Sequence, residues 1–367
     1  MDLNQFEKSK YKGQIKATFD LAEQMRRNKD NPQEVSFAEV VETKMGITLE
    51  DLYADLGIDP TTDSISAIFL LPEADGVRWL VPEIIRGAIR AGLRDAPIWP
   101  SIISTEQDSS QLKVTMPYIN MSDAAPRKVG EAETIPIGSI SYGQKEVSVF
   151  KIGRGIKIPY EVIQFVSIDV VSIFMQDFGV KLGQAMDTLA IDCLINGDQK
   201  DGSESAPVIG VTTINVKVYK DFLRPWIRGS RMGRNFTTII GGEASALETL
   251  DLPEFKARTA GSTEATLNMK TPVPKSADYF IHGNVPDGQE ILVDKRFALV
   301  KFNVIPLNIE SEKIVSNQTL AFYASLTSGF GKLFRDASLV LDKSDTIANL
   351  PFPSYMNVDA YQDVVIN

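Results

Sequence analysis

An α+β fold is predicted for this chain, on three observations. From Glu146 to Ile158 the residues Phe150, Ile152, Ile156 and Ile158 share one parity, while Lys151, Gly153, Gly155 and Lys157 take the other. That is the period of a half-buried strand. Beyond Pro159 the period changes: Val171, Phe174, Phe178, Leu182, Ala185, Leu189 and Cys193 follow at spacings of three and four, up to Asn196-Gly197. A long amphipathic helix is implied, roughly 40 Å at 1.5 Å per residue. From Tyr279 onward, strand-like runs dominate.

Each element follows in order. Residues 1 to about 63 are charged and mostly helical in pattern, with Ile15, Phe19, Leu21 and Met25 on one stretch and Leu49, Leu52, Tyr53 and Leu56 on another. Thr48 is placed to cap the second stretch with Asp51 three residues on, and Asp59-Pro60 breaks the chain. Val81-Pro82 opens a further helix with Ile85, Ile89 and Leu93 on one side, since proline suits a first turn. Leu112, Val114, Met116 and Tyr118 alternate as a strand, whose expected partner is the strand ending at Pro159. The intervening stretch is rich in Ala, Gly, Pro and mixed charge, so a long protruding hairpin is expected. Its apolar face would need cover from another subunit, because exposed flat strands aggregate.

Ser167 or Asp169 is expected to cap the long helix, and Gly197 to end it in a left-handed conformation. A helix at about 216–231, a strand at 236–240 and a helix at 243–250 read as an α/β unit. Residues 256–276 are a polar, breaker-rich loop candidate. Closing strands are expected at 279–282, 290–293, 298–304, 318–325 and 338–341.

Bulk composition narrows the function classes. The chain has 367 residues, 43% of them hydrophobic, with no run approaching a membrane span. Its start, MDLNQFEKSKYKG, lacks the apolar stretch of a secretory signal, so a soluble, unsecreted protein is expected. One cysteine excludes an intramolecular disulfide framework and multi-cysteine metal clusters. The 38 basic and 48 acidic residues leave a net charge of −10, which argues against wrapping nucleic acid by bulk electrostatics.

No catalytic, cofactor or metal site emerges. The single His282 has no recognisable nucleophile motif around it, and Cys193 falls on the apolar stripe. Gly153-Arg154-Gly155 has no following helix or Lys-Ser/Thr, as a phosphate loop requires. Trp226 beside Arg224, Arg228, Arg231 and Arg234 would suit base stacking, but Phe222 and Trp226 are four apart, the spacing of a core face. The arginines are then expected at solvent or a subunit contact. Glu131 and Glu133 would share one strand face; with Asp294 they are the carboxylates of a rival reading, a hydrolase. Arg127 and Lys128 opposite them fit ion pairs across a subunit boundary better. Lys145, Lys151 and Arg154 complete the expected contact set.

Three stretches carry a resemblance: GVRWLVPEIIRGAIRAGL; EVSVFKIGRGIKIPYEVI running into VVSIFMQDFGVKLGQAMDTLAIDCLING; and GQEILVDKRFALVKFNVIPLNIE followed by GFGKLFRDASLVLD. In this order the chain resembles the major capsid proteins of tailed bacteriophages over about residues 68–342, a fold shared with encapsulins and the herpesvirus capsid floor. The resemblance implies an N-terminal helical extension (1–64), an N-terminal arm (65–109), an extended hairpin loop (110–158) and a peripheral domain with its spine helix (159–205). An axial domain (206–285), closing strands of the peripheral domain (286–350) and a C-terminal tail (351–367) complete it. It implies no enzyme. The chain would form pentamers and hexamers of an icosahedral virion shell around packaged double-stranded DNA, made in the host bacterial cytoplasm. Scaffolding, portal and decoration proteins would be its partners, with no membrane. An encapsulin-type compartment housing a cargo enzyme is the nearest alternative. Some family members join a loop lysine to a neighbour's asparagine, for which Lys128, Lys145 or Lys151 and Asn308 or Asn317 are the available groups. No spacing fixes the carboxylate such chemistry needs, so non-covalent contacts are expected.

Overall fold

The computed structural model of the chain describes residues 10–11, 13–26, 35–66, 80–95, 98–109, 111, 114–120, 129–131, 134, 139–198, 205–253 and 277–357. The loop candidate at 256–276 lies outside them. Helices α1 (Ile15–Arg26), α2 (Phe37–Met45) and α3 (Leu49–Leu56) come first. Thr48 Oγ1 accepts the Asp51 N–H at 3.1 Å while the Thr48 N–H reaches Asp51 Oδ2 at 3.2 Å, so each residue satisfies the other's orphan donor. The α2 helix was not singled out above, yet it carries a similar signal. The Ser36 N–H donates to Glu39 Oε2 at 2.8 Å, and Gly46 closes the helix at φ +70°.

Helix α4 (Leu80–Asp95) buries Val81, Ile85 and Ile89 against the spine, and the spine is not straightforwardly amphipathic. After strands β1 (Ile103–Asp108), β2 (Val114–Asn120), β3 (Ser139–Val147) and β4 (Val149–Pro159) and the short α5 (Tyr160–Phe165), the spine is α6 (Ile168–Asn196). It buries Met175, Gly179, Gly183, Met186 and Ala190 beside the expected stripe, because α4 covers one flank and a sheet the other. Its crossing with α4 is set by two glycines. A Cβ on Gly92 would lie 1.9 Å from the Gln176 carbonyl oxygen, and one on Gly179 would lie 2.0 Å from that of Ile89. The backbones meet where no side chain fits.

Three expectations about the spine are corrected, the last in part. Ser167 occupies the N-cap position but makes no side-chain cap bond, for the first N–H groups already have backbone partners. Phe174, placed on the core stripe above, is 60% exposed. Gly197 does take positive φ, +80°, but with ψ −178°, outside the left-handed helical well.

The remaining elements are β5 (Val208–Val211), α7 (Tyr219–Arg231), β6 (Thr238–Gly241), α8 (Glu243–Leu250), β7 (Asp278–Ile281), β8 (Gln289–Val293), β9 (Leu299–Ile314), β10 (Thr319–Lys332) and β11 (Ser338–Thr346). They build a four-stranded sheet in the order β1-β9-β10-β4 and a five-stranded sheet in the order β5-β11-β8-β6-β7. The pairing of β2 is corrected: its partner is β3, with Val114 opposite Val147 and Asn120 opposite Ser139. The strand ending at Pro159 is broken at Ser148, and its second part, β4, pairs instead with β10, Pro159 opposite Thr319 and Val149 opposite Gly329. The apolar parity of β4 is therefore satisfied within the chain from Ile152 to Ile158, while Phe150 at its start is 50% exposed. Ile152, Ile156 and Ile158 lie on the same face as Leu326, Phe322 and Leu320, packed in the core that holds the spine.

Candidate assembly surface

A surface can be read only after the interior groups are accounted for. In the α/β unit Phe222 and Trp226 are buried, Trp226 Nε1–H donates to the Phe236 carbonyl at 3.0 Å, and the two rings meet edge to face. The aromatic is core. The arginines around it are corrected in part. Arg234 forks onto Asp336 at 2.9 and 2.8 Å and lies 4.7 and 4.8 Å from the ring centroids of Phe297 and Phe334. Arg224 holds Asp221 and Thr212, each at 3.0 Å, and Arg228 stacks over Phe352.

The polar groups considered for chemistry are likewise engaged. Cys193 is buried with its Sγ 3.4 Å from the Phe330 carbonyl, and His282 Nδ1 accepts the Asn284 N–H at 3.1 Å. Asp294 accepts from Asn235 N–H at 2.7 Å and from Arg296 at 2.8 and 3.1 Å. Burial pushes its carboxyl up, but these hydrogen bonds outweigh that and hold it below the usual value. It is tied up as an ion pair. Gly153-Arg154-Gly155 lies mid-strand in β4, where no helix N-terminus faces it. Among the described residues no cluster of His, Cys, Asp and Glu has the makings of a metal site, and no helix is long and apolar enough to cross a membrane.

Three features stand out, apart from exposed apolar side chains of the α/β unit such as Ile227 and Leu247. The first is the ribbon of β2 and β3. Its base is pinned by Val114, Met116 and Val147 packing on Val300, Phe302 and Val304, with a bulge where the pairing shifts from Met116–Lys145 to Pro117–Tyr142. The second is the outer face of the four-stranded sheet. There Lys151, Gly153, Gly155 and Lys157 lie beside Thr327, Ser325, Tyr323 and Ala321, and Ile305 and Tyr323 are exposed. The third is an apolar patch at the start of the spine, where Phe165 is 78%, Ile173 64% and Phe174 60% exposed, with Val170 beside them. Positions 170, 173 and 174 share one side of the helix.

The expected contact residues fall unevenly on these features. Arg127, Lys128 and Glu133 lie outside the described residues, and Glu131 sits in an exposed turn. Lys145 is on β3, opposite Met116. Lys151 and Arg154 are exposed on β4, on opposite faces, with the Arg154 guanidinium 5.8 Å from the Phe178 ring centroid. Asn308 Nδ2 donates to Glu310 at 3.1 Å, and Asn317 lies in the exposed turn between β9 and β10. The spine patch was missed above because the 3–4 spacing of Phe174 matched the buried stripe.

No family model matches the chain, and no curated protein matches it in sequence. Its fold does match solved structures. The capsid of a native GTA particle, with C5 symmetry, is 13% identical and superposes with a TM-score of 0.50, covering 69% of this chain and 89% of that one. This chain has the tailed-phage major capsid fold. Further matches are a virus-like particle from Pyrococcus furiosus (11% identity, 71% of this chain and 98% of that one, TM-score 0.46) and Mycobacterium phage Cain (10%, 68% and 90%, 0.46). On this fold the spine patch and the outer sheet face are among the apolar surfaces that the described residues leave exposed.

Proposed function

We propose that the chain is a structural, shell-forming capsid protein rather than an enzyme, assembling as pentamers and hexamers into an icosahedral virion shell around double-stranded DNA. The observation that carries this reading is the capsid fold itself, together with the exposed apolar patch of Phe165, Val170, Ile173 and Phe174 at the start of the spine. A two-stranded ribbon is marginal in water on its own, and a neighbouring copy is the natural surface for it. In this reading the ribbon is the part of the 110–158 loop that lies over a neighbour, since β4 is already taken into the four-stranded sheet. The spine with the closing strands forms the peripheral domain, and the 206–285 unit gathers around the symmetry axes. Residues 1–64 extend the arm at 65–109, and 351–367 form the tail. Arg127, Lys128, Glu131, Glu133, Lys145, Lys151 and Arg154 contribute polar contacts between copies, worth little each but able to fix register. The net charge of −10 suits an inner wall that does not grip its DNA. Scaffolding, portal and decoration proteins are the accompanying partners, and the host bacterial cytoplasm the site of synthesis.

Size-exclusion chromatography and negative-stain imaging of the full chain, produced with the products of its neighbouring genes, test this. Closed shells containing DNA are the expected result. Shells containing a protein cargo and no DNA would transfer the chain to a compartment role. A monomer at every concentration would overturn the shell reading.

A further inference from the structure

The beginning of a long helix leaves N–H groups that need acceptors, and Ser167 does not supply one from its side chain. The acceptors come from a hundred residues away. Ile168 N–H donates to the Asp63 carbonyl at 3.0 Å, Asp169 N–H donates to the Pro60 carbonyl at 3.1 Å, and Ser64 forms an antiparallel bridge with Ser167. The donating loop is held in shape by itself. Asp59 Oδ1 accepts from the Thr61 N–H and hydroxyl at 3.0 and 2.7 Å, the Asp59 N–H reaches Asp63 Oδ2 at 2.9 Å, and the Asp63 N–H returns to the Asp59 carbonyl at 2.8 Å. Two carboxylates beside the helix's positive end add a favourable charge–dipole term.

The same N-terminal segment is fastened at its other end. Arg26 on α1 forks onto Glu83 on α4 at 2.7 and 2.9 Å, both side chains being buried, while Arg26 Nε–H donates to the Val35 carbonyl at 2.9 Å. Between the two fastenings Val41, Leu52 and Leu56, and before the first of them Ile15, are fully buried in the core cluster that contains α4 and the spine. A glutamate stripped of its buried fork and left with Arg86 Nε at 3.4 Å, and a spine helix whose first two N–H groups lose their acceptors, would be the consequence of losing the segment.

We infer that the first turn of the spine and the Glu83 side of α4 form a docking surface whose occupant is the chain's own residues 13–26 and 35–66, which act as a clasp fixing the spine and remain part of the folded protein in its working form. The clasp is independent of the shell reading, since every contact in it is made within one copy. It also frames the spine patch, because Phe165 and Val170 flank the capped residues 167–169 in sequence.

The test is a cut rather than a deletion. A specific protease site is inserted in the stretch joining Ser66 to Leu80 of the full-length chain, and the protein is digested after folding. The two fragments are expected to co-elute under native conditions and to part only in urea. Introducing Glu83→Gln into the cut protein is expected to weaken their association about ten-fold or more, as the fork loses its charge. If the fragments part and the larger one then unfolds or melts at a lower temperature, the clasp is also supported. Separation under native conditions with the larger fragment melting at the uncut temperature would overturn it.

Discussion

In the five-stranded sheet all four residues of β6 and four of the five in β8 are buried, and successive residues face different cores. Ile240, Ile291, Val293 and Val340 pack toward the spine, while Ile239, Leu292, Leu339 and Leu341 pack on Phe222, Trp226 and Phe236. The four-stranded sheet is covered on one face by the spine, and on the other only in part, where the base of the β2–β3 ribbon packs on Val300, Phe302 and Val304. Burial along β9 gives out beyond Ile309, and on the outer side Ile305 and Tyr323 meet solvent. A sheet covered on both faces reads as continuous apolar runs, and one covered on one face reads as alternation. The difference teaches where this chain buries both faces of a sheet by itself and where it leaves part of a face open: the first region is a folding core, the second an armature that carries the ribbon.

The most damaging way to break the covered region is through its buried charges. Lys217 Nζ lies 2.8 Å from Glu290 Oε1, which also accepts from Thr249 at 2.6 Å and Tyr279 at 2.8 Å, and neither charged side chain reaches solvent to any extent. Lys217→Met leaves that carboxylate with hydroxyl donors alone, so a loss of about 3–5 kcal/mol is expected in urea unfolding. The double variant Lys217→Met/Glu290→Gln should recover most of it. Equal losses in the single and double variants would show that packing, not charge, is at stake.

This region was also the less legible of the two. The strands at 290–293 and 338–341 and the helix at 243–250 could be read from runs and breakers, because local pattern and tertiary burial agree there. Nothing in the spacing of Lys217, Thr249, Tyr279 and Glu290 announced that α8, β7, β8 and the loop before α7 would bring them together. In the armature the spine's length was legible from period and its terminal glycine, whereas the partner of β2 was not. Alternation gives a strand's faces but not its neighbour, and the break at Ser148 carries no glycine or proline of its own. The exposure of Phe174 was hidden for a related reason. A helix covered on two flanks has a buried arc too wide for a single stripe to locate.

The junction of the two helices that support the armature is the next most sensitive point. Gly92→Ala places a methyl group where the Gln176 carbonyl oxygen lies, so α4 and the spine must separate. A loss of about 3 kcal/mol is expected by denaturant unfolding. Gly87→Ala, with open space at its Cβ, is the control, and helix propensity alone should make it neutral or stabilising. A similar response at both positions would mean that the crossing is plastic.

Acid separates the regions by sign. Asp294 follows β8 directly and Asp342 lies within β11 of the five-stranded sheet. Burial raises each carboxyl, but Arg296 and Asn235 at the first, and Ser344 and Gln289 at the second, hold both below the ordinary 3.8. A lowered folded-state value means a contribution present above the ordinary value and lost as pH falls through the folded one. Asp187 on the spine behaves oppositely: burial raises it in spite of N–H donors from Ile98 and Trp99, each at 2.8 Å. Its contribution is present at low pH and is lost as pH rises through the raised value. Asp294→Asn should therefore flatten the acid limb of a urea-midpoint profile below pH 3.8. Asp187→Asn, which keeps an acceptor for both N–H groups, should leave that limb and raise the midpoint near neutrality. The same response from both variants would remove the distinction.

The smallest effect on stability is expected where the armature is open, and there it is most informative. Phe174→Ser on the spine and Ile305→Ser on the outer sheet face replace apolar groups that already meet solvent, so the unfolding free energy of the single copy should change by no more than about 0.5 kcal/mol. The free chain regains little on folding by exposing an apolar ring, and removing that ring costs the folded state almost nothing. Association is different, because a ring buried between two copies leaves water only when they meet. Full burial of a phenylalanine is worth about 1.5–3 kcal/mol, repeated at every equivalent contact of a closed assembly. Shell yield at fixed protein concentration should therefore fall steeply for Phe174→Ser while its melting curve overlays that of the unchanged chain. A large loss of melting temperature would place Phe174 in the folding core after all, and unchanged shell yield would move the contact away from the spine patch.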